Sequence, residues 1–198
     1  FLLVITLITG VIVLIEFSKS NKEFENCGIS LSNTDTNPIG GELNLLTADG
    51  KYITDKEILD KITLVYFGYT YCPDVCPFDL VRNATALDLL DEKDIEINLV
   101  FITIDPERDN PKIADEFAKF FHPNAIGLGG TVKDITKAKE KYLVYAAKTN
   151  PEKDVDYLMN HSTFTYLMHP KHGFLTFFNR KATALEISEK VKCVLEKT

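Results

Sequence analysis

The pattern of apolar and polar positions divides the chain into three stretches. Residues 1–17 are apolar and carry no charge before Glu16, which predicts one transmembrane anchor. A cleaved signal peptide and a buried core helix are the alternatives for this stretch. Residues 18–38 are polar and rich in Asn, Ser and Thr, so they predict a linker. Apolar runs return from residue 39, and we place a folded domain at residues 39–198.

The domain alternates between strand-like and helix-like patterns. Runs of β-branched and aromatic residues at 62–67 and 97–104 predict buried strands, and apolar spacing at 78–90 predicts a helix. The remaining elements are a hairpin turning at Asp49-Gly50, helices at 111–121, 131–142 and 183–195, and strands at 143–147, 164–168 and 174–178. This order predicts an α/β fold with a mixed sheet.

Composition narrows the function classes. The chain is 45% hydrophobic and 26% charged, as an ordinary folded protein is, and its net charge of −7 argues against nucleic acid as the main partner. A metal ion or a cationic protein suits that charge better.

Cys72 and Cys76 carry the strongest chemical signal. They follow the predicted strand 62–67 and the strand-breaking Gly68, and each has a proline directly after it. On the first turn of a helix, this spacing would put both sulfurs on one face, where a helix N-terminus favours thiolates. The pattern predicts a soft-metal or redox site at the end of a central strand. A plain disulfide and a pair of buried thiols are the alternatives. Cys27 and Cys193 are isolated in the sequence and are expected to be incidental.

His161 is the candidate for a third ligand because it precedes the predicted strand 164–168. Two thiolates with one imidazole suit Cu(I), and with a weak extra ligand Cu(II), although zinc also accepts this set. On composition alone, a surface or capping role is more frequent for any histidine. The other three histidines, which flank a helix end or a turn, are read in that way: His122, His169 and His172.

A charged loop follows the strand 97–104. It contains Asp105, Glu107, Arg108 and Asp109. If the two buried strands are parallel neighbours, this loop and the cysteine loop share one edge of the sheet. A self-paired, solvated loop is the alternative interpretation.

Four sequence blocks carry a family resemblance. Residues 66–77 read YFGYTYCPDVCP, residues 101–109 read FITIDPERD, residues 127–131 read GLGGT, and residues 157–167 contain His161-Ser162. In this order they resemble the SCO/SenC family of copper-binding cytochrome oxidase assembly proteins. There are two departures. Tyr71 precedes the first cysteine, where a histidine is common, and Glu42 follows Gly40-Gly41, where the family has an aromatic residue.

The resemblance implies a thioredoxin-like fold with an added N-terminal β-hairpin, preceded by one transmembrane helix. It implies that Cys72, Cys76 and His161 bind one copper ion, as Cu(I) or Cu(II). The implied function is a membrane-anchored copper chaperone that receives copper from a donor protein and serves the binuclear copper site of cytochrome c oxidase subunit II. The expected location is the bacterial inner membrane, with the domain in the periplasm. The alternative is the mitochondrial inner membrane, facing the intermembrane space.

A second function is compatible with the same residues. Cys72 and Cys76 would be the catalytic pair of a thiol–disulfide oxidoreductase that reduces the target cysteines. Thioredoxin-like oxidoreductases usually place a cis-proline where this chain has His161-Ser162, and no proline occurs between Pro151 and Pro170. A histidine offers a ligand and a proline does not, so we favour a metallochaperone over an enzyme.

Overall fold

The computed structural model describes residues 24–29, 39–150, 152 and 156–198. The predicted anchor at residues 1–17 and most of the predicted linker lie outside these residues. Within the described ranges, no helix is long and apolar enough to cross a membrane. The anchor therefore stays a prediction.

The described part of the chain contains short strands interspersed with helices. The strands are β1 (Asn44–Leu46), β2 (Tyr52–Thr54), β3 (Thr63–Gly68), β4 (Asn98–Thr103), β5 (Ile126–Leu128), β6 (Ala146–Lys148), β7 (Met159–His161), β8 (Thr165–His169) and β9 (Gly173–Phe178). The α-helices are α1 (Asp55–Ile58), α2 (Val75–Asp91), α3 (Pro111–Phe121), α4 (Val132–Lys141) and α5 (Ala184–Leu195).

The main sheet is built around β3. Its strand order is β5-β4-β3-β8-β9, in which β4 and β5 run parallel and β8 antiparallel to β3. All six residues of β3 are buried, as a strand covered on both faces requires, which explains its unbroken apolar sequence. The predicted mixed sheet is confirmed.

The predicted N-terminal hairpin is present as β1 and β2. The two strands pair antiparallel from Asn44 opposite Thr54 to Leu46 opposite Tyr52. Gly50 has a φ of +76°, a left-handed conformation that glycine adopts without steric cost at a turn. Leu46 also forms a bridge with Gly129, so the hairpin is attached to the loop after β5.

A third sheet, of two strands, also lies outside the main sheet. It pairs β6 with β7 antiparallel, with Ala146 opposite His161. The pairing continues where the Thr149 amide donates to the Leu158 carbonyl oxygen at 2.8 Å. This small sheet carries His161. Its strand β6, at Ala146–Lys148, begins slightly later than the strand predicted at 143–147.

The expectation that Cys27 and Cys193 are incidental is wrong, because they form a disulfide. Residues 24–29, within the predicted linker, contain a 3-10 turn at Glu25–Cys27 that packs against α5. Phe24 and Ile29 of this segment are buried in the core. The two cysteines are 166 residues apart, so their spacing along the chain gives no sign of the pairing.

Candidate metal centre

The two cysteines of the candidate site lie close together at the N-terminus of α2. Cys76 lies in the first turn of α2, whereas Cys72 lies in the loop before that helix. The expectation that both occupy the first turn is therefore corrected. The Cys72 Sγ atom accepts a hydrogen bond from the Cys76 amide at 3.4 Å, which satisfies one of the free amides of the helix start. This bond brings the two sulfurs together.

His161 reaches the same edge of the sheet because β8 runs antiparallel to β3. The chain that enters β8 therefore arrives at the carboxyl end of β3, next to the cysteine loop. The His161 Nε2 atom lies 3.4 Å from Cys76 Sγ. Its Nδ1 atom lies 2.8 Å from the Ser162 carbonyl oxygen, which can only accept, so Nδ1–H is the donor. In the neutral ring, Nε2 then presents its lone pair to the sulfurs.

The three donor atoms form a compact set. Cys72 Sγ, Cys76 Sγ and a ring nitrogen of His161 all lie within 4.8 Å of one another. Bond lengths of about 2.3 Å to sulfur and about 2.0 Å to nitrogen separate the donors around one ion by up to about 4.6 Å. This is close to the span of the three atoms, so small shifts of the side chains would bring them around a single ion, and two thiolates with an imidazole are a soft set that suits copper.

Both cysteines of the set are free thiols and are largely shielded from solvent. Cys72 is 7% exposed and Cys76 0%, while His161 is partly exposed. Within the described residues, no other group of three or more His, Cys, Asp or Glu side chains converges in this way. His122 is paired instead with Asp88, whose carboxylate lies 3.4 Å from its Nε2 atom.

The two thiols have opposite pKa shifts. A hydrogen bond from the Cys76 thiol, assisted by nearby backbone amides, lowers the pKa of Cys72 to about 3. The same bond, together with burial, raises the pKa of Cys76 well above its usual range. The pair therefore holds one proton at neutral pH, with the thiolate on Cys72 and the thiol on Cys76.

The floor of the site is formed by β3. A side-chain carbon added at Gly68 would lie 3.0 Å from Cys76 Sγ, so the glycine leaves room for the sulfur. Beside it, the Tyr66 hydroxyl donates to Asp79 at 3.1 Å, and Asp79 pairs with Arg82 at 3.2 Å. Burial raises the pKa of Tyr66 and of Asp79. Cys76 is thus packed against a buried polar network.

The charged loop after β4 is self-paired, as the alternative interpretation expected, but it is not fully solvated, because Asp105 and Asp109 are buried while Glu107 is exposed. Asp109 accepts hydrogen bonds from the Thr70 amide and the Thr103 hydroxyl, each at 2.8 Å. It thereby attaches β4 to the loop that carries Cys72, and burial raises its pKa. Asp105 pairs with Arg108 at 2.6 Å and belongs to no group of converging metal donors in the described residues.

Two tyrosines that the sequence does not single out lie beside the metal centre and the charged loop. The ring of Tyr69 meets the ring of His161 edge to face, with centroids 5.8 Å apart. The Tyr157 hydroxyl donates to Asp105 at 2.7 Å. Their only sequence signal is that both fall within the blocks that carry the family resemblance.

Comparison with known proteins identifies the family. The SCO1/SenC family model matches residues 32–196 of the chain. Protein SenC of Rhodobacter capsulatus is 46% identical over 158 residues, which cover 80% of this chain and 71% of that protein. The chain belongs to the SCO1/SenC family. The mitochondrial SCO1 homolog 1 of Arabidopsis thaliana is 43% identical over 143 residues, which cover 72% of this chain and 42% of that protein.

Solved structures of SCO proteins share the fold. Arabidopsis thaliana ScoI with copper bound has a TM-score of 0.74 and 39% identity, covering 80% of this chain and 99% of that chain. Bradyrhizobium japonicum ScoI with copper bound has a TM-score of 0.70 and 40% identity, covering 78% of this chain and 98% of that chain. The predicted family and the predicted thioredoxin-like α/β fold are confirmed.

Proposed function

We propose that this SCO1/SenC protein is a membrane-anchored copper chaperone for the binuclear copper site of cytochrome c oxidase subunit II. The observation that carries the proposal is the convergence of two free thiols and one imidazole nitrogen within 4.8 Å. Family membership and the copper-bound structures of two relatives support copper as the cargo.

The protonation of the site suggests how copper enters. The Cys72 thiolate is available at neutral pH as the first ligand, because its pKa is lowered by the Cys76 thiol. Cys76 then loses its proton to the surrounding water, and His161 Nε2 completes the set. Copper leaves by exchange of these ligands for those of the acceptor, and the partly exposed His161 lies on the side from which an acceptor can approach.

The proposed location is the bacterial inner membrane, with residues 1–17 as the anchor and the domain in the periplasm. The mitochondrial inner membrane, with the domain in the intermembrane space, is the alternative. The Cys27–Cys193 disulfide supports an oxidising compartment in either case. Similar proteins include a bacterial SenC and a mitochondrial SCO1 homolog.

Copper titration of the full chain in detergent micelles tests the proposal. The reductant is adjusted until Cys72 and Cys76 are free thiols and the Cys27–Cys193 bond remains. We expect about one copper per chain, with this stoichiometric uptake lost in Cys72→Ala and in His161→Ala, because two donors hold copper more weakly than three and leave only residual binding. His172→Ala is the matched control, since His172 follows β8 at the other end of that strand. Wild-type stoichiometry and affinity in His161→Ala would refute the three-ligand site.

A second candidate function is reduction of a partner's disulfide, with the chain acting as an enzyme. The free pair and the lowered pKa of Cys72 favour it. The Cys72 thiolate would attack one sulfur of the partner's disulfide and form a mixed disulfide. The Cys76 thiolate, after losing its proton, would then attack Cys72 Sγ and release the partner as a dithiol. Two electrons pass to the partner, and a Cys72–Cys76 disulfide is left.

His161 separates the two functions. A disulfide reductase should keep its rate of partner reduction in His161→Ala and lose it in Cys72→Ala. The measurement is the rate at which the reduced chain reduces a peptide that carries two oxidised cysteines. If the wild-type chain reduces the peptide no faster than Cys72→Ala does, the reductase function is eliminated.

A further inference from the structure

His161 lies on a segment that the main sheet does not hold. Its strand β7 has three residues and pairs with β6, in the two-stranded sheet outside the main sheet. The cysteines, in contrast, are fixed by β3 and by the start of α2. A site that needs both halves therefore depends on whatever attaches residues 157–161 to the rest of the domain.

Arg108 makes several of these attachments. Its Nη1 atom donates to the Tyr157 carbonyl oxygen at 2.9 Å, and its guanidinium lies 3.5 Å from the centre of the Tyr157 ring. Its Nε atom donates to Asp105 at 2.6 Å. The Tyr157 hydroxyl donates to the other oxygen of the same carboxylate at 2.7 Å. Arg108 and Asp105 therefore hold both the backbone and the side chain of Tyr157.

Arg108 also contacts the cysteine side of the site. The guanidinium lies 4.6 Å from the ring centre of Tyr71 and 5.9 Å from that of Tyr69, within the range of cation–π attraction. The Tyr69 hydroxyl in turn accepts a hydrogen bond from the Met159 amide at 3.2 Å. One guanidinium thus joins the residues that precede Cys72 to the segment that leads to His161.

The residue type fits this task. Arg108 donates from Nε and Nη1 to two different acceptors while its flat face lies on an aromatic ring, and a lysine offers neither the fork nor the plane. The side chains of Arg108 and Asp105 are 9% and 2% exposed. Because a buried ion pair adds little net stability, geometric control is the better explanation for this one.

We propose that Arg108 is a positioning residue that holds His161 in ligand geometry against Cys72 and Cys76. The inference rests on the proposed copper function, since it names the residue through which the third ligand is fixed. A purely structural residue would affect the cysteines and the histidine alike. Arg108 hydrogen-bonds the segment that leads to His161 and contacts the cysteine side through the ring faces of Tyr69 and Tyr71, so most of its effect on copper binding is expected to depend on His161.

A double-mutant cycle on the full chain tests the proposal. Cu(I) affinity is measured by competition with a chromophoric Cu(I) chelator, for Arg108→Lys in the wild-type and His161→Ala backgrounds. We expect Arg108→Lys to weaken Cu(I) binding about tenfold or more in the wild-type background, as loss of a ligand's supporting contact does. In the His161→Ala background we expect Arg108→Lys to cause a clearly smaller loss. Unchanged affinity in the first case, or an equal loss in both backgrounds, would overturn the proposal.

Lys119→Gln is the matched control. Lys119 also pairs with an aspartate on its own chain segment, Asp115, at 2.7 Å, and the side chains of Lys119 and Asp115 are 54% and 12% exposed. Both residues lie on α3, and neither belongs to the metal centre. We expect Lys119→Gln to bind Cu(I) as the wild type does. A loss as large as that of Arg108→Lys would show a general effect of lost ion pairs and contradict the proposal.

A measurement without copper separates this inference from the proposed function. In the metal-free chain, we expect Arg108→Lys to lower the NMR order parameters of residues 157–161 from about 0.85 toward about 0.6. Unchanged order parameters would overturn the inference even if wild-type copper binding is normal. A wild-type chain that binds no copper would instead overturn the proposed function. If Arg108→Lys does not fold, Tyr157→Phe, which loses only the hydroxyl bond to Asp105, is tested for the same two effects.

Discussion

Cys72 and Cys76 differ in protonation state, although only three residues separate them. The Cys76 thiol donates to the Cys72 sulfur, which lowers the pKa of Cys72 and raises that of Cys76. Cys76 is also the more buried of the two, and burial disfavours its charged form. A metal ion that takes both sulfurs as thiolates must therefore displace the proton that remains on Cys76.

We predict that copper binding near pH 7.5 releases about one proton per ion, rather than the two that a pair of ordinary thiols would release. The affinity should then rise about tenfold for each unit of pH in this range, since one proton is displaced. Calorimetric titration in buffers of different ionisation enthalpy measures the number. Release of two protons would contradict the thiolate state assigned to Cys72.

At this scale, the sequence predicts the cysteine pair better than the histidine. Cys72 and Cys76 are local, and a strand followed by a helix is enough to place them together. His161 depends on the direction of β8, which residue spacing does not reveal. The contacts of Arg108 with Tyr157 join residues 49 positions apart, so no local pattern could indicate them. That the three donors act as metal ligands stays a prediction.

At the scale of elements, α3 packs very closely against β5, the strand at one edge of the main sheet. A carbon added at Gly127 would lie 2.2 Å from the Ala114 carbonyl oxygen and 2.3 Å from Asp115 Cα. Both are backbone atoms of α3 and cannot rotate away. The Gly127 amide also donates to the Asp115 carboxylate at 3.1 Å, which fixes the contact further.

We predict that Gly127→Ala lowers the free energy of unfolding by about 2–3 kcal/mol, because the helix must move off the strand. Gly68→Ala is the matched comparison, since an added carbon there would press on Cys76 Sγ at 3.0 Å. It should weaken copper binding more than Gly127→Ala does. Urea denaturation and Cu(I) competition measure the two effects. A Gly127→Ala chain as stable as the wild type would show that α3 adjusts without cost.

Long elements are predicted from sequence more reliably than short ones, for a physical reason. The strands β3 and β4 each have six residues and are buried enough for an apolar run to be recognised. The strands β6 and β7 have three residues each and are only partly buried, which is too few positions for a periodic pattern.

At the scale of the whole molecule, the described N-terminal segment and the metal centre lie at opposite ends of the sheet. The ring of Phe24 contacts His169 and His172, with centroids 5.9 and 5.3 Å apart. These histidines flank the turn after β8, and that turn lies at the start of β3 because the two strands are antiparallel. Cys72 follows the end of β3. Residues 24–29, which lead to the predicted anchor, therefore pack against the domain far from the metal centre. This leaves the metal centre accessible to a partner protein.

The Cys27–Cys193 disulfide makes this arrangement covalent, and its removal tests what it contributes. We predict that Cys27→Ser with Cys193→Ser lowers the free energy of unfolding by about 2–5 kcal/mol, because the closed loop is long and its entropy in the unfolded chain is restored. Copper stoichiometry should not change, since both sulfurs lie outside the metal centre. The matched control is Cys72→Ala with Cys76→Ala, which also removes two sulfurs but breaks no cross-link, and should have the smaller effect in urea denaturation. A larger loss in that control would mean that packing around Cys76, rather than the cross-link, dominates the stability of the domain.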